Sequence, residues 1–271
     1  MKPISRCACV LILCLAGAAF ADAPASQSAA EFRKLADKGD ATAMYELACC
    51  YQQGTGGVKA DPKAAIEWYT KAADAGNATA MNNLGWLYQN GIGVPKDDAK
   101  ALQWYRMAAD SHSPAGMFNL GWMYENGRGT AKDESTALFW YKKAADAGEP
   151  RAMNRMGVAA FLGLGGPRDY AEARRYFTQG ADAGDIDAMF NLGWLNHNGL
   201  GIEKNEPEAA TWFRQSAQAG NPKAMYWYGQ MLENGWGTSA DRSQAINWYR
   251  KAAAAGDIKA AQWLAERGVA P

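Results

Sequence analysis

Apolar residues recur along this chain with helical spacing. Ala101, Trp104, Tyr105, Ala108 and Ala109 stand at i, i+3, i+4, i+7 and i+8, a pattern that places them on one face of an α-helix. The same register returns at a step of 36 residues: Trp104, Trp140, Tyr176, Trp212 and Trp248 form one column, and Gly91, Gly127, Gly163, Gly199 and Gly235 another. The phrase Ala73-Asp74-Ala75-Gly76 comes back as Ala145-Asp146-Ala147-Gly148 and Ala181-Asp182-Ala183-Gly184. Six units follow, at 41–76, 77–112, 113–148, 149–184, 185–220 and 221–256, with a linker and partial capping helix at 22–40 and a capping helix at 257–271. A period of this length is the mark of an all-α solenoid, in which no unit buries its own apolar face alone.

Each unit reads as two helices joined by a glycine-rich loop. The first helix opens at Asp40, Asn77, Ser113, Glu149, Asp185, Asn221 or Asp257, mostly side chains that accept hydrogen bonds from unpaired N-terminal amides. It ends at the Gly91 column, usually after an asparagine, which suits a left-handed cap. The second helix opens at Asp61, Asp97, Asp133, Asp169, Asn205 or Asp241. Its aromatic pairs, such as Trp68-Tyr69 and Trp248-Tyr249, are expected in the core between layers, where small alanines let neighbouring backbones approach.

The phrases Asn119-Leu120-Gly121-Trp122-Met123-Tyr124-Glu125-Asn126-Gly127-Arg128-Gly129 and Trp140-Tyr141-Lys142-Lys143-Ala144-Ala145 resemble the Sel-one-like repeat, a longer relative of the tetratricopeptide repeat. The resemblance covers about residues 31–268. It implies a right-handed α/α superhelical solenoid that serves as a protein-interaction scaffold. Exported bacterial members are associated with envelope complexes, host contact and neutralisation of toxic effectors. Some members carry a disulfide between the two helices of each repeat, which this chain has no cysteines to form.

At 100° per residue, and with Met81 as zero, Leu84, Leu87 and Tyr88 fall at about 300°, 240° and 340° and define the core side of the first helix. Gly85, at about 40°, lies at its edge and permits close helix contact, while Asn83 and Trp86 lie at about 200° and 140°, away from the core. Through the units, that outward stripe runs Glu46, Asn83, Asn119, Arg155, Asn191 and Trp227, beside Cys49, Trp86, Trp122, Val158, Trp194 and Gln230. Indoles offer rigid apolar area and amides pair with an extended backbone. Asn83, Trp86, Asn119, Trp122, Arg155, Asn191, Trp194 and Trp227 are therefore the candidate partner-binding residues, and by analogy with tetratricopeptide solenoids the stripe faces a groove that holds a protein or peptide segment. The competing expectation is that the tryptophans pack on a neighbouring repeat and only stiffen the array. In the fourth unit Phe161 and Leu162, beside the loop Gly163-Leu164-Gly165-Gly166, break the columns and read either as a partner-specific patch or as a loosely packed joint.

Composition bears on partner and compartment. The chain has 271 residues with 28 Lys+Arg against 28 Asp+Glu, a balance that argues against nucleic acid as a partner. Lys2 and Arg6, an apolar run to Ala19 and the exit Ala19-Phe20-Ala21 have the order of a secretory signal peptide at 1–21. Its run, about 13 residues, is too short for a membrane span. The expected product is periplasmic or secreted, is not inserted in the membrane, and has a net charge of about −2. Cys7, Cys9 and Cys14 leave with the signal; Cys49 and Cys50 remain, adjacent and so unsuited to bridging each other, with an intermolecular disulfide through Cys49 left open.

No cofactor or metal site is expected, because the chain has two histidines and no zinc-ligand spacing. An enzyme is not expected either. Some family members have been linked to β-lactam binding or hydrolysis, but no S-x-x-K occurs. His112 sits at a turn position held elsewhere by glycine, and His197 reads as a surface residue at the end of a first helix. Two binding roles stand: a general envelope scaffold using the repeated columns, and an immunity or inhibitor protein using Arg155, Phe161, Leu164 and Trp236 to cap one secreted toxin.

Overall fold

The computed structural model describes residues 28–270. The signal segment, its cleavage point after Ala21 and Cys7, Cys9 and Cys14 lie outside the described residues. Among the described residues there are fourteen helices and no strand. They fall into two compact units, one ending at Ala137 and the other beginning at Leu138.

The first unit holds α1 (Ala29–Ala36), α2 (Ala41–Gln53), α3 (Pro62–Asp74), α4 (Ala78–Asn90), α5 (Asp98–Asp110) and α6 (Pro114–Asn126); the seam falls within α7 (Glu134–Asp146). The second holds α8 (Pro150–Leu162), α9 (Tyr170–Asp182), α10 (Ile186–Asn198), α11 (Glu206–Gln218), α12 (Pro222–Asn234), α13 (Arg242–Ala254) and the closing α14 (Ile258–Glu266). Within each unit consecutive helices pack as pairs, α2 on α3, α4 on α5, α8 on α9, α10 on α11 and α12 on α13, and first helices also touch first helices, α4 with α6 and α8 with α10.

The helix ends follow from the cap residues. Asp40, Asn77, Ser113, Asp185, Asn221 and Asp257 each accept a first-turn backbone N–H. Glu149 does not: its side chain is one carbon longer than aspartate, and it accepts instead from Arg151 Nε at 2.6 Å. First helices end on Gly54, Gly91, Gly127, Gly163, Gly199 and Gly235, all in the left-handed region. The preceding asparagines satisfy an open carbonyl one turn back, as Asn90 Nδ2 does on Trp86 O at 2.8 Å.

The core differs from the sequence expectation in one column. Of each aromatic pair, the second member is fully buried: Tyr69, Tyr105, Tyr141, Phe177, Phe213 and Tyr249. Trp68 and Tyr176 of the first-member column are buried, but Trp104, Trp140, Trp212 and Trp248 are only half-buried, and a cation covers the outer face of two of these, Lys143 on Trp140 at 5.1 Å and Lys251 on Trp248 at 4.4 Å. The buried ring lies flat on the glycine of the paired first helix. A Cβ on Gly85 would stand 2.7 Å from Tyr105, and one on Gly193 2.7 Å from Phe213, so helix approach here depends on the missing side chain.

Candidate functional site

The buried rings also explain where the array changes character. Tyr69 Oη donates to Gln52, Tyr105 Oη to Gln89 at 2.7 Å and Tyr249 Oη to Glu233 at 2.7 Å. A buried hydroxyl requires such a partner. In the fourth and fifth repeats the tyrosine is Phe177 or Phe213, and the partner column holds Phe161 or His197 instead of Gln or Glu. With no hydroxyl to satisfy, both side chains serve elsewhere: Phe161 packs on Tyr170 at 5.4 Å, and His197 Nδ1 pairs with Glu206 Oε2 at 2.8 Å.

These two repeats, with the sixth, which keeps Tyr249 and Glu233, and the closing helix, line a groove of about 810 Å³ in the second unit. Its floor comes from first helices: Val158, Phe161 and Leu162 of α8, Phe190, Asn191 and Trp194 of α10, and Tyr226 and Trp227 of α12, with Ile258 and Lys259 of α14 closing one end. The aromatic wall is braced from behind. Trp227 stacks on Phe213 at 5.9 Å, meets Trp194 edge-on at 5.0 Å and touches Tyr226 at 6.1 Å, and Phe190 meets Phe213 at 5.6 Å. Leu162 and Ile258 remain 50% and 73% exposed at the two ends.

His197 is not the surface residue that its sequence position suggested. Its side chain is 14% exposed, with ring centroids of Trp227 and Trp236 each at 5.4 Å. Glu206 is held below its ordinary pKa: burial works in the opposite direction, but hydrogen bonds from Lys204 and His197 outweigh it. His112 is exposed and takes a positive φ of 59° at the turn position held elsewhere by glycine.

The eight candidate residues divide. Asn191, Trp194 and Trp227 line the groove; Arg155 lies half-buried on α8 outside its lining. In the first unit Asn83, Trp86, Asn119 and Trp122 are half-buried. There Trp86 packs against the unit's core, and Trp122 lies 6.0 Å from the guanidinium of Arg128 in its own repeat. The amides also differ from expectation. Asn119 Nδ2 donates to Asn82 Oδ1 at 2.7 Å, and Asn191 Nδ2 to Asn154 Oδ1 at 2.8 Å: both tie one first helix to the preceding one. Glu46, on the same stripe, is buried, with Oε2 lacking a hydrogen bond and its pKa raised by burial.

The intermolecular disulfide expected as an option at Cys49 is not supported. Cys49 is 3% exposed, with Sγ 3.3 Å from Tyr69 Oη, and Cys50 is buried beside it, so a bond to another chain would require the core of the first repeat to open. Sequence reasoning missed Phe190, Tyr226, Lys223, Ile258 and Lys259. The signal was present in the column next to the scored stripe, where Phe190 and Tyr226 stand one step of 36 apart. Among the described residues no group of histidine, cysteine and carboxylate side chains is arranged to hold a metal ion, and no helix is long and apolar enough to cross a membrane.

The model of the Sel1 repeat matches six consecutive segments, 41–77, 78–113, 114–149, 150–185, 186–221 and 222–257. The chain belongs to the Sel1 repeat family. Members of this family are generally non-catalytic α/α solenoids that bind protein partners. This Sel1 repeat protein is 33% identical to a Sel1 repeat protein from Oxalobacter formigenes, over 84% of this chain and 100% of that one, with a TM-score of 0.76. A protective antigen of uropathogenic Escherichia coli strains displaying an SLR fold is also 33% identical, with a TM-score of 0.76; the match covers 89% of this chain but only 52% of that one, so the present chain spans about half its length. An immunity protein from Pseudomonas aeruginosa, 23% identical over 80% of this chain and 83% of its own, shares the fold at a TM-score of 0.53. Among curated proteins no significant match is found.

Proposed function

We propose that this Sel1 repeat protein is a non-catalytic interaction scaffold of the bacterial cell envelope and that it holds a polypeptide segment in the groove of its second unit. One observation carries the reading: large apolar side chains of three successive first helices, Phe161, Phe190, Trp194, Tyr226 and Trp227 among them, line one groove in the second unit. Solvent-exposed Leu162 and Ile258 at its ends supply apolar area that a partner covers. Residues 1–21 act as a cleaved signal that delivers the chain to the periplasm or beyond.

A second role is favoured by the places where the groove departs from the repeated columns. Phe161, Leu162 and Trp227 have no counterpart in the other repeats, which suits recognition of one partner, as by an immunity protein capping one secreted toxin. The immunity protein of like fold described above makes this a role to test. The experiment is capture from envelope extract by the full chain and by a Leu162→Asp, Ile258→Asp variant, whose altered side chains are largely outside the core. A general scaffold retains several envelope proteins and an immunity protein retains one; both depend on the groove. Equal retention by the variant overturns the groove. Fractionation, with N-terminal sequencing of the isolated protein, tests the compartment: recovery with Met1 in the cytoplasmic fraction overturns export.

A further inference from the structure

Four of the six repeats close their first helix with the same dipeptide: Asn90-Gly91, Asn126-Gly127, Asn198-Gly199 and Asn234-Gly235, the four Asn-Gly pairs of the chain. In this dipeptide a backbone nitrogen can attack the neighbouring side-chain amide with little obstruction, because glycine has no Cβ. The attack joins Gly N to Asn Cγ, with loss of the backbone N–H proton and release of Nδ2 as ammonia. Water then opens the cyclic imide at either carbonyl and leaves aspartate or isoaspartate.

All four asparagines are exposed, so water reaches them, yet both reacting groups are engaged. Each Asn Nδ2 donates to the carbonyl one turn back, on Trp86, Trp122, Trp194 or Gln230, at 2.8 to 2.9 Å. Each glycine N–H donates to the carbonyl four residues before it, on Leu87, Met123, Leu195 or Met231, and each glycine is held in the left-handed region where the chain reverses. Bringing Cγ onto the glycine nitrogen breaks both bonds, so the reaction proceeds from a locally opened helix end.

We propose that these four junctions are latent modification sites, silent while their repeats are closed and converted one way when a helix end opens. The product does not rebuild the cap. Aspartate has no Nδ2–H to donate and sets a carboxylate at the negative end of the helix dipole; isoaspartate lengthens the main chain by one carbon just before the glycine that makes the reversal. The fourth repeat, with Leu162 before its glycine, has no amide to convert.

The test is incubation of the full chain at mildly alkaline pH, folded and in guanidinium chloride, followed by peptide mapping with mass spectrometry and an isoaspartate assay. In denaturant the four junctions should convert ahead of asparagines followed by bulkier residues, such as Asn83-Leu84 and Asn154-Arg155. In the folded chain each junction should convert at least about tenfold more slowly. Equal rates in the two states, or no preference for the four junctions in denaturant, overturn the inference. Asn90→Asp and Asn198→Asp should each unfold at lower urea concentration than the original chain; unchanged midpoints overturn the loss of the cap.

Discussion

Gly193→Ala is the substitution whose sign is most informative. In an ordinary helix interior, alanine in place of glycine stabilises by about 1 kcal/mol. At Gly193 the added methyl would lie 2.7 and 2.8 Å from two ring carbons of Phe213, where carbon pairs prefer about 3.5 to 4.0 Å. Phe213 has no room to retreat, because Phe190 lies 5.6 Å away and Trp227 is stacked at 5.9 Å. The first repeat carries Ala48 at the equivalent place, fully buried in the same cluster as Tyr69, so a repeat whose ring is placed for it accepts a methyl here. The cost is therefore that of shifting Phe213 together with the groove wall it braces, about 2 to 3 kcal/mol of overpacking. Offset by helix propensity, this leaves a net destabilisation of about 1 to 2 kcal/mol. Urea unfolding followed by circular dichroism and by tryptophan fluorescence measures it. A more stable Gly193→Ala protein would refute the account of how the buried ring and the glycine fit together.

Three further outcomes are expected. A double-mutant cycle on Asn154→Ala and Asn191→Ala should give a coupling of about 1 kcal/mol, since their amide bond joins two first helices; zero coupling would remove it as a tie between repeats. Burial pushes the pKa of the Asp185 carboxyl up from the ordinary 3.8 to about 6. Between those values the folded state holds more protons than the unfolded chain, so stability falls as pH rises through that window. Asp185→Asn, which keeps a capping side chain, should flatten that slope, and an unchanged slope in pH-dependent unfolding would exclude the assignment. Cys49 and Cys50, both buried, should resist alkylation until denaturant is added and should give no disulfide-linked dimer on a gel without reductant; rapid labelling of the native protein would contradict their burial.

Much of the fold was legible because a step of 36 residues writes each structural requirement several times over. Cap residues, left-handed glycines and the glycine against the buried ring each recur as a column; Glu149, one carbon longer than aspartate, does not cap its helix and accepts from Arg151 instead. The candidate site was legible in part. Helical angle identified Asn191, Trp194 and Trp227 but gave no account of where their polar atoms point. That the Asn191 amide reaches back to Asn154, 37 residues earlier, depends on the stacking of repeats and not on one helix alone. His197 was misread for a similar reason: it ends its helix, but Glu206, Trp227 and Trp236 come from later segments and enclose it. The paired change of Tyr to Phe in one helix and of Gln or Glu to Phe or His in the other was visible in the columns, but its meaning required the hydroxyl contacts.

Site-specific photocrosslinking in cells tests the groove most directly. A photoreactive residue at Leu162 or Ile258, at the two ends of the channel, should capture a polypeptide, whereas the same residue at Phe139, 53% exposed on α7 and outside the groove lining, should not. Adducts formed from position 139 as readily as from 162 and 258, or none from the groove positions, would contradict the assignment.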